Sequence, residues 1–425
     1  MVTTWSLPRT RQPGTIAGGP FSPGGAAREP DPTMSPAARR NALSGPLSPL
    51  PPLEVDTAVI SDPGLRPLAA KLMAGQRLER EDGLSLLASR DLPGLGALAT
   101  AVRRHHNGQR AHYVLNRHIN YSNVCVNQCA FCAFWRDAGQ DGAYTMTPAE
   151  VADKAACGGL PVDELHIVGS CHPDLPFEYY EDILRAARRA RPEACLKAFT
   201  AVEIDHLARI SGQTPRQVLE RLIAAGLGAM PGGGAEVFSP RVRQKLCPRK
   251  TSAEDWLAIS GLAHQLGLPT NATMLYGHIE TDQERVDHLL DLRRQQDLSG
   301  GFSAFIPLAF HSQNTKLTSR GATTALDDLR VMAASRLLLD NFPHIKAYWV
   351  MLGEKLAQVA LNFGADDLDG TVVEERITHS AGATTAQGLT EAHLRGMIRD
   401  AGFEPVRRDS FYHHLPALDP AAEAA

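Results

Sequence analysis

Val114-Leu115-Asn116-Arg117-His118-Ile119-Asn120-Tyr121-Ser122-Asn123-Val124-Cys125-Val126-Asn127-Gln128-Cys129-Ala130-Phe131-Cys132 runs a strand candidate, Val114–Asn120, directly into a C-x3-C-x2-C cluster. Three thiolates at this spacing can hold three irons of a 4Fe–4S cubane and leave the fourth iron without a protein ligand. An electron-carrying cubane takes four cysteines and closes the site. A structural zinc also takes four ligands, usually as two separated pairs. Cys157, Cys171, Cys195 and Cys247 are scattered through the chain and make no second pair, and Cys171 reads as a small packed residue rather than a fourth ligand. An open iron is a place where a small molecule binds, so this cluster sets the reaction class.

Outward from that stretch, short apolar strands alternate with amphipathic helices from His112 to about Thr371. The strand candidates after the first are Leu165–Val168, Leu196–Thr200, Gly228–Met230, Ala272–Leu275, Phe302–Leu308 and Ile345–Met351, with the eighth supplied by Gly370–Val373 or Pro405–Arg407. Helix starts are marked by S/T-x-x-E/Q at Thr147–Glu150, Thr214–Gln217, Thr251–Glu254 and Thr281–Glu284, where a hydroxyl caps an N–H and the Glu or Gln reaches back. A βα alternation this long with short connections predicts an α/β fold, a (β/α)8 TIM-type barrel. In such barrels catalytic groups gather at the C-terminal ends of the strands, which is where Cys125, Cys129 and Cys132 fall.

The flanks read differently. Residues 1–50 are rich in Pro, Gly, Ser and Arg and are expected to be a disordered tail, with Met34 an alternative start; removing the tail is expected to leave activity intact. Residues 51–111 form a helical lead-in, residues 112–375 the barrel, and residues 376–425 a C-terminal cap with a helix from Thr390 to Ala401. The chain's 43% hydrophobic and 21% charged residues describe a soluble globular protein, and a net charge of −4 gives no electrostatic reason for nucleic acid or an anionic membrane as partner. Seven cysteines without a paired framework, no apolar run of membrane length and no signal-peptide pattern together predict a cytoplasmic protein.

C-x3-C-x2-C on the first loop of a parallel barrel resembles the radical S-adenosylmethionine (SAM) superfamily. Further segments, among them Asn120–Cys125, Lys197–Ile204, Pro231–Phe238, Ala272–Glu280, Phe305–His311 and Lys346–Gly353, resemble the aminodeoxyfutalosine synthase family of menaquinone biosynthesis over roughly residues 112–412. The resemblance implies a radical SAM barrel, with Cys125, Cys129 and Cys132 holding a 4Fe–4S cluster whose open iron takes the amino and carboxylate groups of SAM. It implies that the 5′-deoxyadenosyl radical adds to 3-[(1-carboxyvinyl)oxy]benzoate, giving 6-amino-6-deoxyfutalosine, with SAM consumed as co-substrate. An electron donor such as flavodoxin or ferredoxin is implied as well. One departure stands out: Ser170-Cys171 occupies a place where Gly-Leu is expected.

For SAM, the resemblance nominates Phe131 near the adenine, the backbone of Gly169 and Ser170 for the ammonium group, and Tyr276 beside the adenine; the glycine run Gly232–Gly234, which lets backbone approach a ligand, nominates Glu236 for ribose or substrate. Glu203, after the third strand, is placed to reach SAM or substrate, and Glu203, His278 and His311 are the candidate catalytic residues. The substrate's two carboxylates call for cations, with Lys197, Arg249, Lys250 and Lys346 as candidates. Asp366-Asp367-Leu368-Asp369-Gly370 does not fit an EF-hand and reads as a turn with solvated charges. The competing readings are the dehypoxanthine futalosine cyclase, which abstracts hydrogen, a deazaflavin FO synthase subunit, and, from another class, an iron–sulfur electron carrier or sensor.

Overall fold

The computed structural model describes residues 53–317 and 321–418, so the expected tail over residues 1–50 lies outside them. The strands are β1 (Arg110–Val114), β2 (Asn116–Ile119), β3 (Glu164–Ile167), β4 (Cys195–Ala198), β5 (Thr270–Tyr276), β6 (Phe302–Ala309), β7 (His344–Ile345), β8 (Asp367–Gly370), β9 (Glu404–Arg408) and β10 (His414–Leu415). Parallel pairing runs around a ring. β2 pairs with β3, and β3 with β4. Bridges Lys197–Ala229 and Met230–Thr270 then carry the ring through a two-residue rung to β5. β5, β6 and β7 follow in order, and the bridge Lys346–Asp367 joins β7 to β8. β8 pairs back onto β1, closing an eight-membered TIM-type barrel.

β1 and β2 are one broken strand, interrupted at Leu115. The break lets β1 take β9 as an extra parallel neighbour while β2 takes β3. Pro405–Arg407 therefore lies in this added strand, and the eighth barrel position belongs to Asp367–Gly370. Two further expectations are corrected here. Of Ile345–Met351, only Ile345 lies in β7, which starts at His344; Trp349–Leu352 turns helical, with Trp349 Nε1 donating to the Gly370 carbonyl at 2.8 Å. Asp366–Gly370 is not a solvated turn. It leads into and forms β8, and the Asp366 and Asp367 side chains are completely buried against Arg336 and Arg408.

The helix starts follow the capping signals. Thr147, Thr214 and Thr281 each complete a reciprocal box with Glu150, Gln217 and Glu284. At residues 251–254 the cap falls one residue later, on Ser252, which accepts from the Asp255 N–H. The lead-in helices Arg80–Ala88 and Leu92–Asn107 pack on the outer helices Asp282–Ser299 and Ala325–Leu338. Arg103 ties the second of them to the carbonyls of Gly108, Arg110 and Ala365, at the start of β1 and just ahead of β8.

The barrel interior positions the site. The inner layers of a filled barrel are branched apolar side chains. Here the apolar residues Leu165, Ile167, Leu196 and Ala198 are fully buried, while the alternate positions carry polar groups. His118, His166 and Lys197 stand in register across β2, β3 and β4, and the two imidazoles stack with centroids 4.4 Å apart. With Asn271, Thr273, Lys346 and Asp369 they line a cavity of about 320 Å³ that reaches up to the cysteine loop. The barrel is hollow because its core positions are polar.

Candidate active site

Cys125, Cys129 and Cys132 all line this cavity. Their loop is fastened on several sides: Cys125 N–H donates to the Arg136 carbonyl at 3.1 Å, Val126 N–H to Cys171 at 3.0 Å, and Ala130 N–H to Leu246 at 2.8 Å. The Arg136 guanidinium donates back to the carbonyls of Ala133 and Trp135. A tetrahedral zinc with Zn–S bonds near 2.3 Å brings its sulfurs to within ~3.8 Å of one another. Among the described residues, the group of metal-type side chains whose ligand atoms all fall within 4.8 Å is His112, His344 and Asp366, not the cysteines. The wider spread of the three thiols suits a polynuclear iron–sulfur cluster. In the histidine group the Asp366 carboxylate is already held by Arg336 and the Ile345 N–H, so it belongs to the ion network beneath the barrel.

The fold also brings Cys171 and Cys247 to this loop, correcting their reading as scattered residues. Val126 N–H on the Cys171 carbonyl sets Cys171 beside Cys125, and Ala130 N–H on the Leu246 carbonyl brings the segment holding Cys247 beside Cys129. Hydrogen bonding toward Cys171 pulls Cys125 down to about 6 against the opposing effect of burial, and the lowered value favours the thiolate form that binds iron. Above the loop, Lys250 pairs with Glu236 at 2.5 Å and stands 5.3 Å from the centre of the Phe131 ring. Burial opposes the charge on Lys250, but Glu236 and the neighbouring thiols raise its pKa.

Gly169 and Ser170 form a shelf beside the cysteines, after β3. A Cβ on Gly169 would lie 2.8 Å from the Tyr121 ring, so only glycine lets the ring and shelf pack this closely. Glu203 lines the cavity, yet its carboxylate is fully engaged. One oxygen accepts from Tyr121 Oη at 2.7 Å and Gly169 N–H at 3.2 Å, and the other accepts from Thr200 N–H at 2.7 Å and its hydroxyl at 2.9 Å. Thr200 and Glu203 thus form a capping box that also anchors the shelf. Glu236 lines the cavity from the glycine loop, where a Cβ on Gly232 would strike the Asn271 backbone at 2.7 Å.

At the floor, two buried ion pairs face the cavity: Lys197 with Glu164, and Lys346 with Asp369 at 2.5 Å. Burial opposes ionisation of Glu164, but Lys197, His166 and Lys346 hold it well below the usual carboxylate range. Burial pushes Lys197 downward. Burial and the neighbouring His166 drive His118 to about 3, so it is neutral, and its Nε2 is buried without a hydrogen-bond partner.

The "Radical SAM superfamily" family matches residues 119–292, and the "CofH/MqnC C-terminal region" matches residues 299–420. The aminodeoxyfutalosine synthase of Thermus thermophilus is 48% identical over 365 residues, covering 85% of this chain and 98% of that protein. The chain belongs to the radical SAM superfamily. A relative from Methanopyrus kandleri, named 5-amino-6-(D-ribitylamino)uracil–L-tyrosine 4-hydroxyphenyl transferase, is 42% identical and covers 72% of this chain and 84% of its own length. The solved methylornithine synthase shares the fold at a TM-score of 0.64 with 17% identity, covering 80% of this chain and 97% of that one. Membership makes this an enzyme and implies a 4Fe–4S cluster and SAM, which the spacing of Cys125, Cys129 and Cys132 and the adjoining glycine shelf accommodate.

Within this radical SAM barrel the nominated residues separate. Phe131, Gly169, Ser170, Glu203, Glu236 and His311 line the cavity with the three cysteines. Tyr276 and His278 do not. Tyr276 is buried with its hydroxyl on Asp328 at 2.7 Å, and His278 packs its fully buried ring against Glu280. Tyr276 ends β5 and His278 lies just after it, while the cavity wall there is Leu275. His311 reaches the Met351 carbonyl at 2.9 Å. Of the four candidate cations, Lys197, Lys250 and Lys346 line the cavity; Arg249 lies outside it, bonded to Gln128 at 2.9 Å. The floor residues His118, His166, Glu164 and Asp369 were not nominated from sequence. For His118, Glu164 and His166 the signal was the period-two run of polar residues, Asn116, His118 and Asn120 in one strand and Glu164 and His166 in the next; Asp369 lay in the segment read as a turn.

Proposed function

We propose that this radical SAM enzyme transfers the 5′-deoxyadenosyl group of SAM to 3-[(1-carboxyvinyl)oxy]benzoate, forming 6-amino-6-deoxyfutalosine and releasing methionine and bicarbonate. The observation that carries the reading is the one continuous cavity with the cysteine thiols at its mouth and the paired lysines at its floor. The 48% identity to an aminodeoxyfutalosine synthase over nearly its whole length supports the choice of substrate. When bound, the cluster and SAM supply a 5′-deoxyadenosyl radical at the mouth, with the electron coming from a flavodoxin or ferredoxin.

The chain's own residues then have separate tasks. Each floor lysine gives part of its donor capacity to Glu164 or Asp369 and keeps further N–H donors for a substrate carboxylate. His118 and His166, stacked on each other, line the cavity beside the bound ring. Leu275, Ile306, Leu308 and Phe310 form an apolar wall that keeps water from a reactive carbon. His311, held by the Met351 carbonyl, is a polar contact for the reacting end. Phe131 and Glu236 take the adenosine.

The test is product analysis by mass spectrometry after anaerobic incubation of the reconstituted enzyme with SAM, dithionite and the enolpyruvyl ether. The expected product is 6-amino-6-deoxyfutalosine. Free 5′-deoxyadenosine as the main product, with the ether unconsumed, would overturn the assignment in favour of the hydrogen-abstracting cyclase.

A further inference from the structure

The cysteine loop has two sides. Cys125, Cys129 and Cys132 line the substrate cavity, whereas Val126 and Gln128, each next to a ligand in sequence, do not. Val126 is instead 38% exposed, an apolar side chain on the outer side of the loop. Three cations are fastened around it. Arg249 donates to Gln128 Oε1 at 2.9 Å and to the Val126 carbonyl at 3.4 Å. Ala130 N–H donates to the carbonyl of Leu246, the neighbour of Lys245, at 2.8 Å, and Lys316 N–H donates to the Ala130 carbonyl at 2.9 Å. Lys245, Arg249 and Lys316 are exposed, and none of them forms an ion pair among the described residues. Asp137 and Asp205, which border the same side, are engaged: Asp137 accepts from Gln128 Nε2 at 2.6 Å, and Asp205 is held by Arg209 and by Thr251 Oγ1. A recess of about 300 Å³ lies beside the loop, bordered by Val126, Arg209 and Arg249, and the chemistry above makes no use of it.

We propose that this outer side, with Val126 at its centre and Lys245, Arg249 and Lys316 around it, is the docking surface for the electron donor, a small protein with an acidic face and a one-electron cofactor. The proposal rests on the need for a reductant stated under the proposed function, and not on the substrate named there. A cavity of about 320 Å³ has no room for a protein, so the electron has to cross the loop from the side away from the substrate. A donor seated on Val126 and Gln128 is separated from the cluster by that loop alone. The chain carries a net charge of −4, so a local ring of unpaired cations is what distinguishes this side for an acidic partner. Such a ring speeds encounter and sets orientation more than it adds affinity, which suits a partner that must leave after one electron. The recess beside Arg209 and Arg249 seats one acidic side chain of the donor. With flavodoxin as donor, its hydroquinone gives up one electron and becomes the semiquinone, while the cluster gains that electron. No bond is made or broken in the step.

The experiment mixes reconstituted holoenzyme with flavodoxin hydroquinone under anaerobic stopped flow, without substrate, and follows cluster reduction by absorbance. Calorimetry with oxidised flavodoxin measures docking without electron transfer. The triple variant Lys245→Glu, Arg249→Glu, Lys316→Glu is expected to lower the second-order rate constant at least about tenfold at ~0.01 M salt, and to abolish the binding heat. At about 1 M salt, where the Debye length is ~3 Å, the two proteins are expected to be reduced at nearly the same rate. Iron content and the EPR signal after excess dithionite are expected to match the unsubstituted enzyme. The double variant Lys245→Glu, Lys316→Glu leaves the Arg249 bonds to the loop intact, so it carries the test if Arg249→Glu disturbs the cluster. Its rate is expected to fall by a smaller factor with the same salt dependence. Equal rates for the double variant and the unsubstituted enzyme at low salt, or a loss that persists unchanged at high salt, would overturn the proposal. With no substrate present, these results stand apart from the product analysis that tests the proposed function.

Discussion

At the mouth of the barrel, eight consecutive residues from Cys125 to Cys132 carry all three ligand thiols. At its floor, His118, Lys197, Lys346 and Asp369 arrive from four strands or strand ends far apart in the chain. The mouth is a loop fastened by backbone bonds, so its thiols can be replaced without disturbing the barrel. The floor is built of buried ion pairs that are part of the barrel's core, so its charges serve the fold and the ligand at once. Function and stability should therefore separate at the mouth and fail together at the floor.

The largest effect is expected at the mouth. Cys125→Ala, Cys129→Ala or Cys132→Ala should abolish turnover and reconstituted iron, while the urea midpoint of the cluster-free protein moves little. Cys157→Ala, and Cys247→Ala under strict anaerobiosis, should keep most of the activity. Loss of turnover in the latter pair, measured beside iron content, would mean that the ligand set is different. At the floor, Lys346→Ala takes from the buried Asp369 its nearest cation, leaving Arg408 at 4.0 Å, and should cost about 3 kcal/mol in chemical denaturation, along with substrate binding. Replacing both partners, as Lys346→Met with Asp369→Asn, which suits the left-handed backbone at φ 67°, should recover most of the stability and none of the binding. A stable but inactive Lys346→Ala would break the comparison.

A smaller, graded effect follows from histidines that the floor and the barrel wall keep neutral. Burial pushes both His118 and His288 down to about 3, and His288 is fixed as a neutral tautomer by the Thr273 carbonyl and the Phe238 N–H. Their folded pKa lies below the unfolded value near 6.5. The stability they support is thus complete above that value and is lost as pH falls from it toward 3, because the unfolded chain takes protons that the folded chain refuses. Two such groups cost together about 3 kcal/mol per pH unit in that window. Burial also holds His106 and His264 down to about 3 and His344 to about 4, so urea titrations at successive pH values should show a slope steeper than these two alone give, and His118→Phe should lessen it by about 1.4 kcal/mol per pH unit.

The same contrast explains what could be read from the sequence. The barrel and its mouth were legible because their signals are local: the cysteine spacing, the capping boxes and the strand–helix alternation. Asp366–Gly370 misled because a run of three aspartates looks solvated until Arg336, Lys346 and Arg408, distant in sequence, are placed beside it. Tyr276 and His278 follow a strand end, which fixes their height in the barrel but not which side of the wall they face. Cys171 and Cys247 reached the cluster loop through tertiary contacts that no spacing encodes.

Glu203 gives the smallest and most discriminating effect. Its place after a strand suggests a catalytic carboxylate, but Thr200-Ala201-Val202-Glu203 is also the S/T-x-x-E/Q signature that starts three other helices in this chain. In the fold the carboxylate closes that box with one oxygen and holds Gly169 N–H and Tyr121 with the other. Glu203→Gln keeps one oxygen, which can still serve the Thr200 N–H, as Gln217 does for Thr214. The amide nitrogen then turns toward Gly169, where two donors meet and the shelf loses one hydrogen bond. At about 1 kcal/mol for that bond, KM for SAM should rise roughly fivefold while kcat is nearly unchanged. A residue that moves a proton in the reaction would give the opposite pattern, with kcat falling by orders of magnitude at constant KM. Steady-state kinetics on this one variant therefore decides whether the mouth contains a catalytic carboxylate or only a well-anchored shelf.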